Sequence, residues 1–505
     1  MARSTRARVG LSRGFWSSLL VATSLLTLLF LAAEIRLLRL PFQRDYGEGH
    51  VLWMATQVLD SHTAYRPLDQ LPYVVDPYPP GYLVAVRFAG VLTHNLLTAG
   101  RSLSLLSTAA AGIAIGLTIL FSASIRFPLR ARLAAAAYGG AVALLNDNVA
   151  TWASLMRVDM LALFLMYAGL AVYIVLGRRE RWQYVAGALF LLAFLTKQTM
   201  LSAPGACAVF GLLTEARRTI RVFGCTALAG LAAVIALNTV TQGGFLLHVV
   251  GYNLNPYSWQ SALDPIYSNI RSGLPALILA ATAVVAVLHP LRFLRVRCER
   301  PCVRAVLLGG GNAVLAGFAM LSKGKVGAGL NHFLAWDMSI GLLAGLFLLG
   351  FLATRKIGPG RNRVTFPVIA LLFAALIPST ILLHAVGPGS MIAAGIRNDA
   401  ELVRLLRATP GPVFSENLLA LEQAGKNVEV EPATLSFLAN SGRWDERPYT
   451  GLFDRRYFSL LVTYDIHNRE RYTPAVTSAI ERGYVSRERI GSYILYRPMG
   501  TAARP

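Results

Sequence analysis

Long apolar runs recur along this chain from Trp16 to Leu383, and short arginine clusters stand between them. A run of about 20 apolar residues is long enough to cross a bilayer, where every backbone polar group has to be satisfied within the segment. The sequence therefore reads as a polytopic α-helical membrane protein. Composition agrees, since 55% of the 505 residues are hydrophobic and only 15% are charged. The formal net charge of +22 would suit a nucleic-acid partner in a soluble chain. Here much of the basic excess lies in the clusters between apolar runs, which is the positive-inside pattern and implies no nucleic acid.

Arg3, Arg6, Arg8 and Arg13 precede the first run and predict a cytoplasmic N-terminus. Later clusters at Arg126/Arg130/Arg132, Arg178/Arg179/Arg181, Arg217/Arg218/Arg221, Arg292 to Arg304 and Arg355 to Arg363 then face the same side. Crossings are expected at 16–33, 103–124, 133–145, 160–176, 182–195, 199–213, 222–240, 274–288, 303–321, 333–352 and 364–383. That pattern leaves the C-terminus outside and the stretch 81–97 interfacial or re-entrant, with about 11 to 13 transmembrane helices as the full range. Opposite the arginine clusters lie 34–80, 146–159, the Lys197-Gln198 hairpin, 242–271, 322–332 and everything after His384. The polar residues of interest thus collect on the extracytoplasmic face.

After about Gly387 the long apolar runs stop and charged residues become frequent. Strands are expected at 412–415, 457–464 and 492–496. Helices are expected at 418–424, 434–440 and 474–482, the first and last of these stopped by Gly425 and Gly483. Two units follow: a membrane module at 1–386 with its first external loop at 34–80, and a small soluble extracytoplasmic α/β domain at 387–505. Cys207, Cys225, Cys298 and Cys302 read as structural thiols.

Several residues stand out for their chemistry. Asp45 and Glu48 lie three apart just after the first apolar run, and Tyr78-Pro79-Pro80-Gly81-Tyr82 leads the chain back towards the bilayer. Glu48 either orients a substrate or joins a metal site, or it is an acid in the first turn of a surface helix. Lys197 sits between two apolar passages of about fifteen residues, too short for full crossings, so its turn is expected below the membrane surface. There it lines a polar cavity or meets an anion, or it snorkels to the headgroups. Asp159, at the mouth of its helix beside Arg157, is a metal ligand, a partner of one, or half of an ion pair. Tyr252, Tyr257 and Trp259 lie among amide side chains, which suits sugar stacking and an interfacial aromatic belt equally. Ser415-Glu416-Asn417 reads first as a helix-capping turn. No Walker-type phosphate loop, metalloprotease His-Glu pair or internal repeat is present.

Taken in order, Asp45-Tyr46-Gly47-Glu48-Gly49, Tyr78-Pro79-Pro80-Gly81-Tyr82, Arg157-Val158-Asp159-Met160-Leu161, Phe194-Leu195-Thr196-Lys197-Gln198 and Asn331-His332-Phe333 resemble the GT-C class of membrane glycosyltransferases. Within it they are similar to the bacterial branch related to protein O-mannosyltransferases and the lipid A aminoarabinose transferase. The resemblance implies a GT-C fold and inverting transfer of a sugar from a polyprenyl-phosphate donor. The acceptor would be an envelope glycan, lipid or protein at the outer face of the cytoplasmic membrane. It implies Asp45 as the base, and Lys197, Gln198, Asn331 and His332 as contacts to the donor phosphate. Glu48 and Asp159 become acceptor or metal candidates, and Tyr78, Tyr82, Tyr252, Tyr257 and Trp259 line the substrate groove. The first loop lacks two acids in direct succession, so a divalent metal ion stays an open question.

Two other classes compete. A transporter or flippase for a lipid-linked or anionic substrate would put ionisable groups near the bilayer midplane and show inverted repeats. A non-catalytic envelope scaffold would tolerate Asp45→Asn.

Overall fold

The apolar runs fold as helices, the one open structure that satisfies its own backbone in lipid. The structure, a computed structural model, describes residues 10–60, 63–123, 127–288, 301–352, 371–376 and 389–500. Among them five helices are long and apolar enough to cross a membrane: Gly14–Leu37, Leu96–Ser122, Asp159–Leu176, Ser202–Val240 and Pro301–Gly324. Further apolar helices run over Leu129–Leu144, Glu180–Thr196, Leu274–Leu288 and Leu334–Leu352. The passages expected at 199–213 and 222–240 fall in a single helical stretch, broken at Glu215 (φ −141°, ψ 59°). The passage expected at 364–383 lies, except for 371–376, outside the described residues.

The stretch 81–97 holds a helix of 13 residues, Gly81–Thr93, ended by His94 in the left-handed region at φ 54°. At 1.5 Å per residue it is about 20 Å long, short of the roughly 30 Å hydrocarbon core. Its Phe88, Val91 and Leu92 are exposed, an apolar face with no protein against it. Asn95 then caps the long helix Leu96–Ser122 by accepting a hydrogen bond from Thr98 N.

Small residues let the bundle close. A Cβ on Gly140 would stand 3.0 Å from the Gly112 carbonyl oxygen, and one on Gly341 would stand 2.7 Å from the Ala143 backbone nitrogen. Helices Leu96–Ser122, Leu129–Leu144 and Leu334–Leu352 therefore approach backbone to backbone, which is where dispersion contacts are gained between lipid-bathed helices.

The C-terminal part forms a four-stranded sheet in the order β1-β2-β4-β3, with β1 Val413–Ser415, β2 Leu460–Thr463, β3 Tyr484–Ile490 and β4 Tyr493–Pro498. β1 and β2 are parallel, while β4 runs antiparallel to both β2 and β3. Three of these strands and the helices Leu418–Ala424, Pro432–Asn440 and Pro474–Gly483 fall where the sequence places them. Strand β3 and the helices Gly389–Ala408 and Arg447–Asp454 were not expected. Asn417 is a helix cap, accepting from Ala420 N at 3.0 Å.

This sheet unit does not stand apart. Val51, Leu52 and Met54 of the first-loop helix Tyr46–Gln57 share one buried cluster with Leu418, Leu419 and Leu421. A Cβ on Gly49 would fall 2.5 Å from the Leu419 backbone nitrogen, so only glycine allows this approach. Tyr73 also bridges Val430 in parallel fashion. The first loop is thereby clamped between the bundle and the sheet.

Candidate active site

Asp45 is the N-cap of helix Tyr46–Gln57: its Oδ1 accepts from Gly47 N at 2.9 Å. The same oxygen accepts from Arg157 Nη1 at 2.7 Å. Gly47 is required for this meeting, because a Cβ there would lie 1.5 Å from Arg157 Nη1. The second carboxylate oxygen, Oδ2, has no partner among the described residues, and the side chain is 32% exposed. Arg157 reaches on to Tyr78, donating from Nη2 to its hydroxyl at 3.1 Å.

Two residues after Arg157, Asp159 is fully buried and holds Lys197 in an ion pair. Asn331 Nδ2 donates to the same Asp159 oxygen at 2.9 Å, and Arg157 Nε stands 3.9 Å from the other. Arg157 thus links the two acids. Both carboxylates and both cations are matched within this chain of contacts. Gln198 donates to the Pro77 carbonyl at 2.9 Å. His332 Nδ1 meets the Ser322 hydroxyl at 2.6 Å. Burial, with the nearby Lys197 charge, lowers the His332 imidazole to about 3, so it is neutral near pH 7.

These groups border a cavity of about 500 Å³ lined by Tyr78, Arg157, Lys197, Gln198, Asn331 and His332. Tyr46 and Gly47 also line it, which puts Asp45 at its edge. The structure therefore brings Asp45, Asp159, Lys197, Gln198, Asn331, His332 and Tyr78 into one neighbourhood.

Other expected residues lie elsewhere. Glu48 is fully buried and faces Arg101, which binds it with two hydrogen bonds of 2.8 Å. Met156 N and Arg44 N also donate to it, at 2.9 and 2.8 Å, so its carboxylate is saturated away from the cavity. Tyr82 is buried and donates to the Gly100 carbonyl at 2.8 Å, as a packing residue between helices. Tyr252 packs on His248 with ring centroids 5.0 Å apart, and Tyr257 packs on the exposed Trp259 at 5.2 Å. None of these three lines the cavity, although their loop neighbours Asn253, Leu254 and Asn255 do.

The cavity also contains residues that the sequence did not single out. Glu431 and Arg471 enter it from the sheet unit. Glu431 caps helix Pro432–Asn440 and accepts a hydrogen bond from the Tyr46 hydroxyl. Burial pushes the Glu431 carboxyl up, but His50, Tyr46 and Arg471 outweigh it and leave the group below its ordinary value. The Arg471 guanidinium lies 3.6 Å above the Tyr46 ring. Lys325 is the remaining lysine at the wall, half-buried, with no carboxylate partner among the described residues. Burial lowers its ammonium, and the neighbouring Arg443 adds to the effect. An unmatched cation in a polar cavity is a signal only the folded chain reveals.

A divalent metal ion finds a poor donor set here. No group of three or more His, Cys, Asp or Glu side chains that could hold a metal occurs among the described residues. Asp45 and Asp159 are each committed to a cation.

The helical bundle, the clamped first loop and the sheet unit over the cavity together define a polytopic membrane protein of the GT-C fold. The chain is similar to ArnT from Cupriavidus metallidurans bound to undecaprenyl phosphate, with a TM-score of 0.60 and 14% identity over 97% of this chain and 99% of that one. The apo state of the same protein gives 0.55 and 14% over 96% and 98%. A looser likeness, 0.47 at 13% identity, is to the archaeal oligosaccharyltransferase AglB from Archaeoglobus fulgidus, covering 98% of this chain and 76% of that one. No family model matches the chain, and no curated protein sequence does.

Proposed function

We propose that this protein is an inverting glycosyltransferase that moves a sugar from a polyprenyl-phosphate donor to an acceptor hydroxyl. The observation that carries this reading is Asp45, at the edge of a cation-lined cavity, whose Oδ1 is fixed by Arg157 and Gly47 while Oδ2 meets no partner among the described residues. The shared fold supports it, because the C. metallidurans protein holds undecaprenyl phosphate. In the transfer, Oδ2 takes the acceptor proton as the acceptor oxygen attacks the anomeric carbon. The bond from that carbon to the phosphate oxygen breaks, and polyprenyl phosphate leaves with the electron pair.

Charge then develops on the phosphate and needs a cation that is not already matched. Lys197 is spent on Asp159, so we assign the phosphate contact to Lys325, with Arg471 beside the same space. Lys197 acts by holding Asp159, which in turn positions Arg157. The reaction takes place at the outer face of the cytoplasmic membrane. The N-terminus is cytoplasmic, and residues 387–505 form an extracytoplasmic unit over the acceptor side. The acceptor is an envelope glycan, lipid or protein.

The test is release of polyprenyl phosphate by purified protein from a panel of synthetic polyprenyl-phosphate sugars, with a membrane extract as acceptor. Release that Asp45→Asn abolishes supports the reading. Release by Asp45→Asn at the wild-type rate, or none from any donor, overturns it.

A further inference from the structure

A second cavity, of about 580 Å³, shares a wall with the first. The turn from Gly329 to Phe333 divides between them: Leu330 and Phe333 line the second cavity, while Gly329, Asn331 and His332 line the first. Its size is within the range of about 300–1,000 Å³ typical of small-ligand sites. Its chemistry is the opposite of its neighbour's. No lysine, arginine or histidine lines it among the described residues.

The polar side is built from three side chains on separate helices. Asn148 Nδ2 donates to Asn269 Oδ1 at 2.6 Å and to Asp337 Oδ2 at 2.9 Å, and Asn269 Nδ2 donates to Asp337 Oδ1 at 3.0 Å. Asp337 is only 4% exposed, and no cation pairs with it among the described residues. Polar side chains that serve only to hold helices together satisfy one another and close the gap between them. This triangle instead borders open space and keeps capacity in hand. Among the described residues the Asn148 carbonyl oxygen accepts nothing and is not sealed off, and one N–H of Asn269 is unspent. Trp336 supplies a ring on the same wall, beside Phe333 and Ile340.

We propose that this second cavity binds a neutral saccharide unit. Sugar hydroxyls both donate and accept, matching a carboxylate flanked by amides, and the apolar C–H face of a pyranose suits an indole ring. A phosphate or sulfate is disfavoured by the carboxylates of Asp147 and Asp337, which both line the cavity, with no lysine, arginine or histidine lining it among the described residues. In the glycosyltransferase reading the unit belongs to the acceptor, and the shared turn carries its presence to Asn331 and so to Asp159. Binding itself does not depend on that reading.

The probe is a photoreactive dodecyl maltoside added to the whole protein in lipid nanodiscs, with labelled residues mapped by mass spectrometry. Labelling of Trp336 or Phe333 is expected to fall at least tenfold with excess unlabelled maltoside, but not with dodecylphosphocholine, which has the same chain and a zwitterionic head. Ser268→Trp, which fills the mouth, is expected to abolish the same labels while belt labelling stays. Equal competition by the two amphiphiles overturns the proposal, as does undiminished labelling in a monodisperse Ser268→Trp protein. Where that variant does not fold, the wild-type competition decides alone. Loss of glycosyl transfer activity in every donor assay leaves this readout standing, so the two readings fail separately.

Discussion

The two lysines of the reactive cavity are expected to give opposite signatures when each is replaced by methionine. Lys197 is 3% exposed and its ammonium neutralises Asp159, which is fully buried. Removing it leaves that carboxylate with the Asn331 amide at 2.9 Å and Arg157 Nε at 3.9 Å. Breaking a buried pair from one side costs roughly 3–5 kcal/mol. The surviving arginine places this case near the lower end, at about 3 kcal/mol. Lys325 has no such partner, so its loss strands nothing, and stability is expected to change by less than about 0.5 kcal/mol.

Function is expected to sort the other way. The proposed charge-assisted hydrogen bond from Lys325 to a donor phosphate would be worth about 1.5–3 kcal/mol, or roughly ten- to hundredfold in donor affinity. Melting temperature in detergent and inhibition by free polyprenyl phosphate read out the two quantities. Lys197→Met should melt several degrees lower, and Lys325→Met should melt like wild type with weakened inhibition. Lys325→Arg should restore most of it. A Lys197→Met protein as stable as wild type would refute the charge accounting. Unchanged inhibition in Lys325→Met would return the phosphate to another group.

Three further outcomes follow from the same geometry. Asp45→Asn keeps the cap and the Arg157 contact but cannot take a proton, so turnover should fall by roughly 10²–10⁴ with no loss of stability, checked by kcat beside a thermal melt. Glu48→Gln leaves Arg101, which is fully buried, without its counter-charge, and should cost roughly 3–5 kcal/mol, seen as a collapse of folded yield. Asp76 is buried, with its Oδ2 accepting from Tyr65 N at 2.7 Å, and burial raises its carboxyl to about 7 from an ordinary 3.8. The unfolded chain ionises first, so this group lowers stability progressively from about pH 4 to pH 7 and by a constant amount above that. At about 1.36 kcal/mol per pKa unit the loss is of order 4 kcal/mol. Asp76→Asn should therefore stabilise the protein at pH 8 and make no difference at pH 4, as measured by melts across that range.

Much of the bundle was legible in the sequence because lipid imposes a single rule, that apolar runs become helices. Asp45 and Asp159 could be singled out from their place after one run and before another, whereas Arg157, which joins them, was visible only as a neighbour of Asp159. The fates of Glu48 and Tyr82 could not, since the spacing of Asp45 and Glu48 says nothing of Arg101, which reaches Glu48 from 53 residues away. Strand β3 escaped notice for a different reason. Its sequence Tyr-Val-Ser-Arg-Glu-Arg-Ile carries charges on both faces, as an edge strand does to discourage further pairing, and that erases the alternation by which strands are recognised.

The part of the site hardest to anticipate is the contribution of the sheet unit, and it bears most on mechanism. Reading the chain as a membrane module plus an appended soluble domain puts the boundary near residue 386 and the chemistry on one side of it. In the structure Glu431 receives the Tyr46 hydroxyl, Arg471 covers the Tyr46 ring, and Gly49 meets the Leu419 backbone without a gap. Tyr46 is the residue next to Asp45. Asp45, the proposed base, is therefore held from both sides of the expected boundary, by Arg157 of the bundle and, through Tyr46, by the sheet unit. The first turn of helix Tyr46–Gln57 thus touches the sheet unit through Tyr46 and fixes the Asp45 carboxylate through the Gly47 N–H. Truncation before the sheet removes part of the cavity wall, Glu431 and Arg471 included, so in the proposed reading it is expected to abolish transfer rather than trim an accessory.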